Sequence, residues 1–123
     1  TQLMRILITG SRYWTDYGAI YDAIRNETRG SRHATIVHGC ASGADELAGL
    51  VAENLGLEVA EYPAMWELHG KKAGPIRNKL MVDHGADICL AFPLGKSIGT
   101  WDCVRRAKTA GIPIKVHVVG NTQ

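Results

Sequence analysis

Three glycine-bearing segments hold most of the residues in this chain that could do chemistry: Gly10-Ser11-Arg12-Tyr13-Trp14, Gly39-Cys40-Ala41-Ser42-Gly43-Ala44-Asp45, and Pro93-Leu94-Gly95-Lys96-Ser97-Ile98-Gly99-Thr100. Each follows an apolar run and precedes a helical pattern. Without a Cβ, glycine turns sharply and lets the backbone approach a ligand, and a helix start offers unpaired amides and a partial positive charge to an anion. Phosphate or ribose phosphate suits such loops. Tight strand-to-helix turns by themselves would ask for the same glycines. No segment is a sharp motif: the second is not GxGxxG, and no Walker lysine follows Gly43 or Gly99, so neither a standard dinucleotide site nor a P-loop is supported.

Individual side chains refine this. Ser42 and Asp45 fit a capping-box relation, the serine accepting from the backbone at Asp45 while the carboxylate reaches back. Asp45 fits contact with ribose hydroxyls or general-base work equally well, since a carboxylate there repels phosphate. Arg12 can grip a phosphate in bidentate fashion and Trp14 can stack on a base, although Trp14 and Trp66 also suit packing over a helix. Arg77 and Asn78 follow Gly70-Lys71-Lys72-Ala73-Gly74-Pro75 in the first turn of a predicted helix, an unusual place for two planar polar groups unless it is simply solvated. His38 and Cys40 lack the partner pair a zinc site needs. Neither metal nor cofactor is expected.

The elements that must position these residues follow from hydrophobic periodicity. Met4 to Thr9, Ala34 to His38 and Ala86 to Phe92 are short, nearly continuous apolar runs, the pattern of strands buried on both faces of a sheet. Leu57 to Tyr62 is more polar, and Ile112, Ile114, Val116 and Val118 alternate with polar or proline positions, so both read as edge strands. Between them, Asp16 to Arg29 carries Tyr17, Ile20, Tyr21 and Ile24 on one helical face, with Gly30 suited to its end. Leu47, Ala48, Val51, Ala52 and Leu55 mark a second helix before Gly56. Pro63 to Pro75 reads as a long loop with a partial helical turn, Pro75 as the first turn of a helix to about His84, and Thr100 to Ala110 as the last helix. Five strands separated by helices imply a parallel sheet with right-handed crossovers. The expectation is a Rossmann-like three-layer α/β/α domain over residues 1–123, with strand order 3-2-1-4-5. Its ligand crevice would lie at the carboxyl ends of the strands, where the three glycine loops meet.

Bulk properties agree. At 123 residues, 46% hydrophobic and 21% charged, the chain has the composition of an ordinary globular domain. No run approaches the roughly 20 apolar residues of a membrane span, and the opening Thr1-Gln2-Leu3-Met4 leads into a strand pattern without signal-peptide design, which reads as cytoplasmic. Three cysteines, Cys40, Cys89 and Cys103, match no disulfide framework and are expected as free thiols. A net charge of +2 does not announce a nucleic-acid binder. A single-stranded DNA reading would use Arg5, Arg12, Lys71, Lys72, Lys79 and Lys96 on phosphates and Trp14 for stacking. Exposed helices on so small a domain lead us to expect a homodimer.

Taken in order, Gly-Ser-Arg-Tyr-Trp (10–14), Val-His-Gly-Cys-Ala-Ser-Gly-Ala-Asp-Glu-Leu-Ala (37–48), Tyr-Pro-Ala-Met-Trp (62–66), Gly-Lys-Lys-Ala-Gly-Pro-Ile-Arg-Asn (70–78) and Ser-Ile-Gly-Thr (97–100) resemble the YspA, cpYpsA-related branch of the SLOG superfamily, frequent in phages and bacteria. The resemblance implies a Rossmann-like domain, related to the DprA nucleic-acid-binding core and to LOG nucleotide phosphoribohydrolases, that binds a nucleotide or nucleotide-derived ligand. It implies a phosphate-ribose region lined by Gly10, Ser11, Arg12, Gly39, Ser42, Gly43, Gly95, Gly99 and Thr100, completed by Trp14, Asp45, Arg77 and Asn78. The LOG loop has the form PGGxGTxxE. Here Gly99-Thr100 fit its phosphate-cradling half while Cys103 stands at the glutamate position, and a thiol does not replace a carboxylate of that pKa. Acid–base work on an N-glycosidic bond would then fall to Asp45 or Asp102.

Overall fold

A computed structural model describes residues 4–29 and 33–118. Five parallel strands, β1 (Met4–Gly10), β2 (Ala34–His38), β3 (Glu58–Glu61), β4 (Ile88–Phe92) and β5 (Ile114–Val116), form one sheet in the order β3-β2-β1-β4-β5. The apolar runs occupy the middle: every residue of β2 and β4 is buried, whereas β3 and β5 are largely exposed. Burial on both faces is what selects continuous apolar sequence there. The expected fold class and strand order are thus observed. Reversal of strand order between β1 and β4 opens the crevice.

Alternation along the strands builds two cores. Ile6 and Ile8 of β1, Ile36 of β2 and Leu90 and Phe92 of β4 face α1 (Tyr17–Thr28) and α2 (Ala44–Leu55), meeting Ile20, Ile24, Ala48 and Val51. Leu7, Val37 and Cys89 point the other way, onto Met81 and Val82 of α4 (Ala73–Asp83) and Cys103 and Ala107 of α5 (Ile98–Thr109). Asp16 caps α1, its Oδ1 accepting from the Ala19 amide at 3.1 Å. Gly30 lies outside the described residues. The irregular stretch after Pro63 contains a one-turn helix α3 (Trp66–His69) and a 3₁₀ turn (Gly70–Lys72) that runs directly into α4. That helix therefore begins two residues before Pro75, which still sits in its first turn, where a missing amide costs nothing. The last helix likewise starts at Ile98 rather than Thr100.

Glycine is required where the loops touch. Gly43 has φ of +75°, and a Cβ there would enter the backbone of Ser11 and Arg12. A Cβ on Gly10 would come within 2.5 Å of the Ala44 Cβ. The two loops are pressed together backbone to backbone. Gly95 also has a positive φ, +59°, but opens onto empty space. Gly43→Ala should therefore lower stability by about 2–3 kcal/mol, roughly 10 °C in Tm, while Gly95→Ala costs about 1 kcal/mol. Thermal unfolding of both variants checks the ordering, and equal losses would contradict the steric account.

Candidate functional site

The loops after β1, β2 and β4 meet on one rim, held by the backbone N–H and carbonyl of Ser11. Its N–H donates to the Phe92 carbonyl at 2.9 Å, and its carbonyl accepts from Trp14 at 3.2 Å and from Ala44 at 3.1 Å. Beside it opens a cleft of about 300 Å³ lined by Thr9, Gly10 and Arg12 from the first strand and loop, Ala41 and Asp45 from the second, Arg77, Asn78 and Met81 from α4, and Lys96 to Thr100 from the fourth. That volume lies at the low end of small-molecule sites.

The fourth-strand side of the cleft favours anions. Ser97 caps α5 in a left-handed conformation, φ +43°, yet its hydroxyl pairs with the Thr100 hydroxyl at 2.6 Å instead of with a backbone amide. The first-turn amides of α5 thus have no side-chain cap at the cleft wall. Cys40 and Ser97 are the two non-glycine residues with positive φ among the described residues, and both lie in these loops. Such conformations collect at functional sites.

The second loop behaves differently. Asp45 is buried, and its Oδ2 accepts from the amides of Gly39 at 3.1 Å and Ala41 at 3.3 Å. The Cys40 amide donates to His38 Nδ1 at 3.0 Å. Consecutive amides that could have faced an anion are already engaged. Burial pushes the Asp45 carboxyl up to about 6, against the opposing pull of the Ala41 amide, the Arg77 guanidinium and the Gly39 amide. Its Oδ1 is sealed from solvent and meets no hydrogen-bond partner. Burial likewise lowers His38, which Glu61 opposes, and raises the Cys40 thiol, to which Glu61 and Asp45 add, so Cys40 is held away from the reactive thiolate form.

Arg77 and Asn78 tie α4 to the loops. The Arg77 guanidinium donates through Nη1 to the Gly39 carbonyl and through Nε to Asn78 Oδ1 at 2.9 Å. A Cβ on Gly39 would fall on that guanidinium. Asn78 Nδ2 then reaches the Gly99 carbonyl at 3.2 Å and Asp102 Oδ2 at 3.0 Å.

Of the residues singled out from sequence, Gly10, Arg12, Asp45, Arg77, Asn78, Gly99 and Thr100 line this cleft. Others do not. Trp14 is 3% exposed, edge-on to Phe92 at 5.3 Å, with its indole N–H donating to the Asp16 carbonyl, so it is core and no base can stack on it. Ser11 is buried, its hydroxyl accepting from the Tyr13 amide. Gly39 lies beneath Arg77, Gly43 packs under the first loop and Gly95 is an exposed turn. Ser42 faces a separate groove beside α2, and the capping box is not formed: Gly43 is the cap, with no side-chain bond. Asp102 turns into the groove between α4 and α5, where Arg106 Nε holds it at 3.0 Å. Cys103 is fully buried and packs in the core that also holds Cys89, so the residue that the resemblance sets at the LOG glutamate position does not line the cleft. Lys96, Ser97 and Ile98 also line the cleft, although the sequence offers Lys96 only as a DNA contact and Ser97 and Ile98 only within the family-like segment 97–100; their position between Gly95 and Gly99 is the signal that points to the cleft.

The basic residues do not form one stripe. Arg5 is engaged by the Gly85 carbonyl at 2.9 Å and by the Tyr62 hydroxyl. Lys79 pairs with Asp83 at the α4–α5 groove, while Lys71 and Lys72 are exposed on the 3₁₀ turn. Among the described residues no helix is long and apolar enough to cross a membrane.

Comparison with known proteins fits this geometry. DNA processing protein A (DprA) of Streptococcus pneumoniae superimposes with a TM-score of 0.72 at 17% identity, over 98% of this chain and 51% of that one. DprA of Helicobacter pylori, described for its unique single-stranded DNA binding mode, does so with a TM-score of 0.66 at 19% identity, over 92% of this chain and 64% of that one. At these identities the likeness is one of fold, and this chain spans about half to two thirds of theirs. The gene 61 protein of Mycobacterium phage D29 is 48% identical over 118 residues, covering 91% of this chain and 94% of its own. A model of the YspA, cpYpsA-related SLOG family matches residues 4–69, more than half of the sequence. With the family's residues running through β1, β2 and β3 and building two of the three cleft loops, the chain belongs to the YspA, cpYpsA-related SLOG family.

Proposed function

We propose that this chain binds a nucleotide or nucleotide-derived ligand in the cytoplasm, as a sensor or sequestering module, with the ligand's phosphate in the cleft at the carboxyl ends of the strands. The observation that carries this reading is the meeting, in one cleft, of an α5 N-terminus without a side-chain cap and the cations Arg12, Arg77 and Lys96. Backbone amides and guanidinium groups both favour phosphate oxygens, and their combination exceeds what a tight turn needs. Asp45, on the opposite wall, keeps the anion to the α5 side by repulsion whenever it is ionised.

Cleavage of an N-glycosidic bond has less support than binding. Asp102 faces another groove, Cys103 is core, and Asp45 spends one oxygen on loop amides while the other is shielded. Incubation with nucleoside monophosphates and NAD-type compounds tests the point, since released free base would establish an enzyme. Single-stranded DNA is the second reading, favoured by the fold shared with a DprA that binds it and by exposed Arg12, Tyr13 and Lys96 at the mouth of the cleft. The exposed apolar side chains Leu68, Ile76 and Leu80 on α3 and α4 support pairing of two copies.

Calorimetric titration with nucleoside 5′-monophosphates should show one site per chain, and Arg12→Ala should weaken it about tenfold or more, the loss expected for one charge-assisted hydrogen bond. Binding should change little with salt, whereas an oligonucleotide would give a steep slope of about −0.7 per phosphate contact. Absence of mononucleotide binding at millimolar concentration overturns the reading. Light scattering should return twice the 13.4 kDa chain mass if the homodimer forms.

Asp45 makes a separate prediction. Its folded carboxyl titrates at about 6 against 3.8 for an ordinary aspartate, so the folded state holds the proton more tightly and stability falls as pH rises from about 4 through 6. The full effect is on the order of 3 kcal/mol. Asp45→Asn keeps a neutral acceptor for the loop amides, so its Tm relative to the parent should rise between pH 4 and pH 7.5; a flat difference would contradict the burial account.

A further inference from the structure

We propose that Trp66 is the platform for the ligand's base, in a second pocket that adjoins the phosphate cleft across Arg77; this rests on the nucleotide reading above. The pocket holds about 220 Å³ and is walled by Trp66, Pro63, Ala64, Ala41 and Arg77. Ala41 and Arg77 also line the phosphate cleft, so the two spaces are neighbours along one path over the rim. Their chemistry is divided. The cleft carries the cations and the first-turn amides, while the second pocket is lined by Trp66, Pro63 and two alanines, with Arg77, Cys40 and Gly39 as its other walls.

Trp66 is 54% exposed, in contrast to Trp14 at 3%. It belongs to a single helical turn whose later amides, those of Leu68 and His69, both donate to the Met65 carbonyl, so the ring is carried on a defined local structure. Its far edge rests over Gly74, where a Cβ would lie 3.5 Å from Cη2. That edge of the indole is backed by the start of α4, and Trp66 shares its pocket with the Gly39-Cys40-Ala41 loop. A flat aromatic surface beside a phosphate site fits a nucleobase, because every base presents a π-face to stack and a phosphate presents none. Arg77, fixed between the two pockets by the Gly39 carbonyl and Asn78, is placed to contact the sugar-phosphate that would bridge them.

The test compares adenosine 5′-monophosphate with ribose 5-phosphate in calorimetry on the full chain. Trp66→Ala should weaken the nucleotide about tenfold and leave ribose 5-phosphate within twofold, and Trp66→Phe should restore most of the nucleotide affinity. Tryptophan fluorescence of the parent should be quenched by the nucleotide and not by ribose 5-phosphate, and that quenching should disappear in Trp66→Phe. Unchanged nucleotide affinity in Trp66→Ala, or an equal loss for both ligands, overturns the base platform while leaving the phosphate cleft standing. Failure of the parent to bind either compound removes both readings together.

Discussion

The site depends on the backbone hydrogen bonds of one residue. The Ser11 unit joins the end of β4 through its N–H and the start of α2 through its carbonyl, so three loops far apart in sequence are held to one another by backbone atoms. Backbone bonds of this kind require that no side chain stand between the strands of the arrangement. Gly10 and Gly43 meet that requirement, with the small Ala44 beside them. The serine hydroxyl contributes only inside its own turn. What looked like a ligand-facing Gly-Ser-Arg motif is, in its first two residues, the joint on which the rim is assembled, and only Arg12 projects from it.

Electrostatics then divides the rim. Asp45 is in the first turn of α2, where the helix dipole favours a carboxylate, and it uses the neighbouring loop amides as its own hydrogen-bond donors. That side of the rim is therefore closed to anions, and the N-terminus of α5, with Lys96 and Arg12, is the side left for them. Arg77 stands between, lowering the energy of the Asp45 carboxylate while bonding the Gly39 carbonyl. Asn78 passes the connection on to α5 and Asp102. The two planar groups at the start of α4 are thus the brace that keeps the second and fourth loops in register, a role that also explains why Asp102 is unavailable in the cleft.

The aromatic and sulfur residues show how little residue type reveals by itself. Trp14 and Trp66 both flank glycine loops, yet the first fills the space over Phe92 and the second stands half in solvent. Cys103, which the resemblance sets at the LOG glutamate position, lies in the core with Cys89. A carboxylate buried there would need a partner for its charge; a thiol needs none.

The amino-acid sequence by itself determined the layered α/β architecture, the strand order and which loops would meet. Those features follow from the period of apolar residues and from the handedness of parallel crossovers, which act along the chain and hold whatever the neighbours are. Edge strands were legible in the polarity of Glu58, Glu61 and Lys115, and the cleft in the clustering of glycines after β1, β2 and β4. Tertiary structure alone decided which members of those loops face the cleft. Whether Ser42 or Ser97 reaches the cleft, whether Asp45 bonds its own loop or its helix cap, and which tryptophan is exposed depend on contacts between segments distant in sequence. Such contacts arise from packing in three dimensions, and no one-dimensional spacing encodes them.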